Sequence, residues 1–371
     1  MTVVSRLLAR LDTAIARTRN PVELACLRAE RAGFLGRHGQ VELAKQQLSE
    51  IQRQFTRQPH VAVSGWLALA EGQLDHYSRL SGSAHDRFQR AYALSSAAQL
   101  QPLKALSAAW LAHACDVRCE RARMVQLAAE ALTLAAPDDH GARWRACLTV
   151  GTSYHFAGRL DLAQPWYGAA RQHALADGDE VALSAVVYNQ AGIRSDQARL
   201  ASAFGEGLGA EALHAVMNTE SAGRFDQAIG LLSLDWLVPL LRAQLLVLES
   251  RFTEALDLFE QHGARAEAEW RERMEPCLYA DRAWCLLKTG REAEAREEAL
   301  AAAEALTSAP CETDDRALAH ARLAQLFEAL GDAERAAAHK AAALRDYDTL
   351  CADRADLLDR LNRALANLSP Q

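Results

Sequence analysis

The feature that most constrains this chain is a short phrase that recurs along it at nearly constant intervals. The phrase is a glycine or serine followed five residues later by an alanine, as from Gly158 to Ala163. Most intervals between successive alanines are close to 40 residues, and this spacing picks out Ala44, Ala84, Ala122, Ala163, Ala203, Ala255, Ala295 and Ala336. Such a period indicates a repeat architecture, in which each structural unit stacks on the next.

Each repeat is predicted to be a pair of α-helices joined by a tight turn. Seven residues after most of these alanines stands another small or apolar residue, and that spacing places both on one helix face, two turns apart. These second positions are Ile51, Ala91, Ala129, Ala170, Ala210, Ala302 and Ala343. Alanine and leucine dominate over β-branched residues, and only 6% of the residues are aromatic. This composition favours helices, because unbranched side chains lose little rotamer freedom in them.

The fourth copy carries most of a known pattern, with Val150, Gly151, Tyr154, Gly158, Ala163, Tyr167 and Ala170. On these residues the chain resembles the tetratricopeptide repeat family, and the resemblance covers nearly the whole chain. It implies an all-α, right-handed α-solenoid of about eight helix-turn-helix repeats with a C-terminal capping helix. The period of about 40 residues exceeds the usual 34 of the family. Such long repeats look like the sensor or scaffold modules of bacterial transcription activators and signalling enzymes.

The repeats are predicted to form one continuous superhelix with three parts. Residues 1–216 hold repeats one to five, residues 217–351 hold an insertion and repeats six to eight, and residues 352–371 form the capping helix and tail. The insertion is placed near Met217 to Phe225, because the interval from Ala203 to Ala255 is 52 residues. The glycines between Gly205 and Gly209 indicate either a frayed helix in the fifth repeat or a hinge.

The resemblance implies that the first helix of each pair lines a concave groove, which can hold an extended peptide or a helix. An inward asparagine can both donate a hydrogen bond to a peptide backbone and accept one from it. Asn189 is therefore the strongest single candidate, although its side chain could instead face solvent. The full set of candidate groove residues is Arg145, Thr152 and His155 in the fourth repeat and Tyr188, Asn189 and Ser195 in the fifth.

A groove of this kind favours binding over catalysis. The first hypothesis is a protein-interaction scaffold or adaptor whose partner is another protein or a peptide. The alternative is a ligand- or peptide-sensing regulatory module of a bacterial signalling or transcription system. An enzyme on a helical solenoid is not expected, and no cofactor is predicted. The sequence has no nucleophile elbow and no phosphate-binding loop, although a Ser-His-Asp site can be assembled from distant residues.

Cys115, Cys119 and the nearby His113 raise the question of a metal site. Residues four apart share a helix face, but His113 and Cys115 do not point the same way. A second pair of ligands at zinc spacing is also missing. The sequence therefore predicts two cysteines on a buried helix face and no metal site.

Charge and hydropathy limit the partners. The formal net charge is −7 and the basic residues are not clustered, which argues against nucleic acid as a partner. The chain has no apolar run of about 18 residues, so no membrane-spanning helix is predicted. The first 20 residues lack the apolar stretch of a signal peptide. The eight cysteines are interpreted as reduced thiols, and the expected location is the cytoplasm.

Overall fold

The computed structural model describes residues 5–79, 83–205, 209–269, 275–308 and 312–370, and the regular secondary structure of these residues is entirely α-helical. This confirms the all-α prediction. The helices are α1 (Arg6–Arg17), α2 (Pro21–His38), α3 (Val41–Phe55), α4 (Val61–Arg79), α5 (Ser83–Ala97), α6 (Gln101–Val117), α7 (Arg121–Leu134), α8 (His140–Phe156), α9 (Leu160–Asp177), α10 (Glu180–Phe204), α11 (Gly209–Ile229), α12 (Leu237–Leu248), α13 (Phe252–Glu269), α14 (Glu275–Lys288), α15 (Glu292–Ser308), α16 (Thr313–Ala329) and α17 (Ala333–Ala364).

Helix α1 is followed by eight helix-turn-helix pairs, from α2–α3 to α16–α17. The predicted repeat number is therefore confirmed, and the fold is of the α-solenoid type. The last pair differs from the prediction in one respect. Helix α17 runs without a break for 32 residues, so residues 352–364 continue this helix and do not form a separate capping helix. None of the helices in the described part of the chain is both long and apolar enough to cross a lipid bilayer.

The recurring glycine has a geometric cause at the turn between paired helices. Gly158 has a φ of 77°, and the amide of the next residue, Arg159, donates a 2.9 Å hydrogen bond to the Tyr154 carbonyl. This bond closes a Schellman turn, whose left-handed residue is most easily a glycine. Five residues later, Ala163 is fully buried in the first turn of α9. The glycine thus marks the end of the first helix of the pair, and the alanine marks the first buried position of the second helix.

In the third repeat, Cys119 occupies the left-handed turn position, with a φ of 59°. The buried positions follow from this residue at the usual spacings of five and twelve. They are Met124 and Ala131, which are both fully buried. Ala122, which the 40-residue interval selects, is exposed instead. The predicted register of this repeat was therefore wrong by two residues, because the turn residue is not a glycine.

The fifth repeat has longer helices than the sequence pattern predicts. Helix α10 runs for 25 residues to Phe204, so Ala203 lies in its last turn and does not open a second helix. Gly205 ends the helix with a φ of 88°, and residues 206–208 lie outside the described part of the chain. Met217 to Phe225, assigned to an insertion, lie inside the 21-residue helix α11. The extra length of this repeat is therefore helical.

The chain divides into two compact units. Unit 1 consists of Met1–Val186, Phe225–Leu234 and Asp356–Gln371, and unit 2 consists of Val187–Arg224 and Asp235–Ala355. Helices α10, α11 and α17 contribute residues to both. In unit 1 the core runs through the paired helices and includes Trp110, Trp144 and Tyr167. In unit 2 a core cluster forms around Leu323, Leu326 and Phe327.

Candidate functional site

In unit 1 two buried arginines lie among the aromatic side chains of the first helices of the repeats. Arg145 on α8 is only 2% exposed, and its guanidinium carbon lies 5.1 Å from the Trp110 ring and 4.7 Å from the Trp144 ring. Arg37 on α2 lies 5.9 Å from each of the same two rings. The ring faces partly offset the cost of burying the two positive charges. The two tryptophans therefore fill the core and also stabilise the guanidinium groups.

Asp179 neutralises one of these arginines. Its Oδ2 accepts a 2.7 Å hydrogen bond from Arg37 Nη2, and its Oδ1 accepts a 2.9 Å bond from the Ala182 amide at the start of α10. Burial alone lowers the pKa of Arg37, but Asp179, together with Tyr77 and Asp177, outweighs this effect and raises the pKa above its usual value. Arg145 forms no ion pair with the residues that the structure describes, and burial lowers its pKa to about 10.

The other two predicted groove residues of the fourth repeat are buried within the helical packing. Thr152 Oγ1 donates hydrogen bonds to the Leu148 and Thr149 carbonyls of its own helix, at 3.0 and 2.9 Å. His155 is fully buried, and its Nδ1 lies 3.1 Å from the Tyr167 hydroxyl on α9. Arg145, Thr152 and His155 thus all lie on α8, but none of them presents its side chain on an exposed surface.

The chain's own C-terminal residues contact α8 in unit 1. The Tyr154 hydroxyl donates a 3.3 Å hydrogen bond to Asn362 Oδ1, and Cys147 Sγ lies 3.9 Å from the Pro370 carbonyl oxygen. Leu361 and Leu365 belong to the same buried core cluster as these helices. The end of the chain therefore contacts α8 at Cys147 and Tyr154, two positions that do not share the helix face of Arg145, Thr152 and His155.

In unit 2 the three predicted residues of the fifth repeat lie on α10. Tyr188 and Asn189 are half-buried, and Ser195 is fully buried. Residues three, four and seven positions apart share a helix face. Arg199, four residues after Ser195, continues this face toward the end of the helix. Extending the predicted face by one or two turns would have found the residues described next.

A small pocket, here called the α10 pocket, lies beside the last two turns of α10 in unit 2. At its base Asp281 is only 4% exposed and receives two arginines, Arg199 Nη2 and Arg322 Nε, each at 2.9 Å. Gln325 accepts a 2.7 Å bond from Arg322 Nη1. The pocket is formed by the first helices of four repeats, α10, α12, α14 and α16, and its lining includes Arg199, Ser202, Leu248, Asp281, Arg322 and Gln325.

A second carboxylate adjoins this pocket. Asp196 Oδ1 accepts a 3.2 Å hydrogen bond from Arg199 Nη1. Burial raises the pKa of Asp196 to about 6, and the nearby Asp314 adds to this effect, whereas Arg199 opposes it. The arginines and carboxylates around the α10 pocket therefore nearly balance in charge at neutral pH. Such a site suits polar groups, including the amide groups of a peptide, better than a strongly charged ligand.

Histidines meet in pairs at several helix contacts, a feature that the sequence pattern does not reveal. His140 and His173 bring their Nδ1 atoms to 3.0 Å in unit 1, and His320 and His339 bring theirs to 2.8 Å in unit 2. His113, considered above as a neighbour of Cys115, lies instead against His76, with 3.2 Å between their Nε2 atoms. Two imidazole rings this close cannot both be positively charged without electrostatic repulsion.

The histidine pairs predict a loss of stability in mild acid. Burial and the facing His140 lower the pKa of His173 from 6.5 to about 4, so the folded state takes up this proton only at a lower pH than the unfolded state does. The stabilisation that results from this pKa difference is complete above pH 6.5 and is lost as the pH falls toward 4. We expect His173→Asn to remove about 1 kcal/mol of this loss, after allowance for the half-exposed ring. Urea denaturation at pH 7.5 and 5.0 measures the difference.

The exposed His214→Asn variant is the matched control for this measurement, because it removes a histidine that has no histidine neighbour among the described residues. It should keep the wild-type difference between the two pH values. If His173→Asn also keeps that difference, the His140–His173 pair does not couple folding to protonation.

The fold resembles that of a solved helical-repeat protein. A crystal structure of a Rap protein complexed with competence and sporulation factor matches with a TM-score of 0.57 and 13% sequence identity. The match covers 93% of this chain and 92% of the other. No protein-family model matches the sequence, and no curated protein matches it. At this identity the similarity shows the fold alone, which is a helical repeat.

Proposed function

We propose that this protein is a peptide-binding adaptor, and that the peptide lies along the exposed side of α10 in unit 2. The observation that carries the proposal is the α10 pocket, which is built from the first helices of four repeats. These are the helices to which the sequence analysis assigned ligand binding. The similarity in fold to a Rap protein complexed with competence and sporulation factor supports a regulatory binding role of this general kind.

The dimensions of α10 fit a short peptide. Asn189 and Ala203 are 14 residues apart, which corresponds to about 21 Å along a helix axis. An extended chain covers this distance in about six residues. In the proposed complex Tyr188 and Asn189 contact the peptide backbone at one end, whereas Ser195 is fully buried and lies beneath the contact surface. At the other end Ser202 and Gln325 offer exposed polar groups at the mouth of the pocket.

The alternative is that the ligand is a signal that the protein senses. In that case the ligand is a small molecule or a signalling peptide, and its binding changes the arrangement of the repeats. Both possibilities use the same pocket, and neither requires catalysis. We further propose that the protein acts in the cytoplasm, because no disulfide joins the seven cysteines that the structure describes.

The pocket predicts which substitutions abolish binding. Ligands from native-cell extract are captured on the tagged full-length protein, identified by mass spectrometry and synthesised for titration. We expect Asn189→Ala to weaken binding at least 10-fold, since two hydrogen bonds of about 0.5–1.5 kcal/mol each are lost. Ser202→Trp should abolish binding by filling the pocket. Ser221→Trp is its control, because Ser221 is an exposed serine on the second helix of the same repeat.

The outcomes separate the hypotheses. A captured protein whose binding depends on Ser202 supports the adaptor, whereas a small molecule or a free peptide with the same dependence supports the sensor. Equal binding by both tryptophan variants would contradict the proposed site. Arg145→Met tests the contribution predicted for the fourth repeat. Because that guanidinium is buried, a loss of binding in this variant would mean that unit 1 opens when the ligand binds.

A further inference from the structure

Three side chains with metal-binding atoms converge in unit 1, beside the turn between α6 and α7. His85 lies in the first turn of α5, Cys115 in the last turn of α6, and Glu120 directly before α7. A ring nitrogen of His85, the Cys115 sulfur and a Glu120 carboxylate oxygen all lie within 4.8 Å of one another. We propose that these three residues form a binding site for a divalent transition-metal ion of the zinc type.

The histidine is arranged as a metal ligand would be. Its Nδ1 lies 3.3 Å from Asp86 Oδ1, whereas its Nε2 is buried and has no hydrogen-bond partner. Metal-bound histidines usually donate the N–H of one ring nitrogen to a carboxylate, which leaves the other nitrogen to bind the metal. A buried ring nitrogen without a partner is otherwise costly. The interaction with Asp86 thus leaves Nε2 as the ligand atom of His85.

The other two ligands provide the charge that the ion needs. Cys115 is fully buried, and its sulfur lies within 4.8 Å of a Glu120 carboxylate oxygen. A zinc-type ion binds cysteine as the thiolate, because the metal deprotonates a coordinating thiol. One thiolate and one carboxylate then balance a double positive charge. Arg118 Nε donates a 3.0 Å hydrogen bond to Glu120 Oε1 and can hold the carboxylate in place.

The turn brings Glu120 beside Cys115. The Glu120 amide donates a 2.8 Å hydrogen bond to the Cys115 carbonyl, and Cys119 between them has a φ of 59°. Ligand atoms of a tetrahedral zinc lie roughly 3.5 Å apart when the bonds are about 2.0–2.3 Å long. Since the three atoms lie within 4.8 Å of one another, each pair needs to approach by about 1.3 Å at most. A set of nitrogen, sulfur and oxygen donors selects zinc or cobalt over magnesium or calcium.

Cobalt(II) tests this site, because a thiolate bound to cobalt gives a charge-transfer absorption band. We expect the full-length protein to bind one Co²⁺ per chain with such a band, and added Zn²⁺ to displace the cobalt. Cys115→Ala and His85→Ala should each lower the affinity at least 100-fold. Asp86→Asn should lower it about 10-fold to 100-fold, as expected for loss of the carboxylate that orients the histidine.

Two controls keep the result specific. Cys285→Ala removes an equally buried cysteine from unit 2 and should leave the band unchanged. Glu120→Gln alters a partly exposed residue outside the core, so it tests the site even if Cys115→Ala fails to fold. The proposal is overturned if the wild-type protein gives no thiolate band with Co²⁺. It is also overturned if the band survives in Cys115→Ala, or if Glu120→Gln binds Co²⁺ as tightly as the wild type.

Discussion

Replacing Asp179 by asparagine is expected to lower the free energy of unfolding by about 3–5 kcal/mol. The side chains of Arg37 and Asp179 are only 6% and 1% exposed, and the distance between Nη2 and Oδ2 is 2.7 Å. Removing the negative charge leaves a buried guanidinium without its partner. The Nε and Nη1 atoms of Arg37 already lack hydrogen-bond partners among the described residues, so no other hydrogen bond of the guanidinium compensates for the lost ion pair.

Asparagine is the informative substitution, because it keeps the other role of Asp179. Its side-chain oxygen can still accept the hydrogen bond from the Ala182 amide and cap α10. The cap alone is worth about 1 kcal/mol. Asn20→Ala is a matched control for such a loss, because Asn20 caps α2 by accepting bonds from the Val22 and Glu23 amides. It should cost about 1 kcal/mol.

Urea denaturation followed by tryptophan fluorescence measures these effects, since Trp110 and Trp144 lie beside Arg37. The double variant Arg37→Met and Asp179→Asn should recover most of the stability, because it removes the unpaired charge as well. A similar loss for Asp179→Asn and Asn20→Ala would show that the buried ion pair contributes little. A double variant less stable than Asp179→Asn would assign the effect to packing by Arg37.

The helical pairs could be predicted from the sequence because their turns depend on local geometry. A glycine with positive φ ends one helix, and a buried alanine follows five residues later, as at Gly290 and Ala295. The same rule failed in the third repeat, where Cys119 takes the left-handed conformation, because a cysteine gives no such turn signal in the sequence.

The contacts that define the candidate sites could not be predicted in the same way. Arg37 and Asp179 are 142 residues apart, and Arg199 and Asp281 are 82 residues apart. Nothing in a single sequence pairs such residues, because the pairing depends on how distant helices pack within each unit. The resemblance to the tetratricopeptide repeat placed Asn189 and Ser195 on a helix predicted to line the groove. The pocket itself begins one turn later, at Arg199.

Two glycines with the same backbone conformation differ in what surrounds them. Gly39 and Gly158 both end the first helix of a pair, with φ of 96° and 77°. A Cβ added at Gly158 meets nothing within 4 Å. A Cβ added at Gly39 would lie 2.6 Å from the Ser233 amide nitrogen and 2.7 Å from Leu232 Cβ. The chain segment around residue 232 therefore packs directly on the end of α2.

That segment is held by hydrogen bonds to the same helix end. The Leu232 amide donates to the His38 carbonyl at 3.1 Å, and Ser233 Oγ donates to the Arg37 carbonyl at 2.5 Å. His38 Nε2 lies 3.2 Å from the Ile229 carbonyl. A side chain at Gly39 must push this segment away or shift α2, and either movement breaks these bonds.

We therefore expect Gly39→Ala to cost about 3 kcal/mol and Gly158→Ala only about 1 kcal/mol. The smaller value is the cost of the left-handed conformation, which both variants share, and the difference measures the close approach. Urea denaturation gives both values. Limited proteolysis adds a local measurement, because residues 230–236 should be cut faster in Gly39→Ala alone. If both variants lose the same stability and proteolysis is unchanged, the segment around residue 232 moves aside at no energetic cost. Its packing on α2 then does not stabilise unit 1.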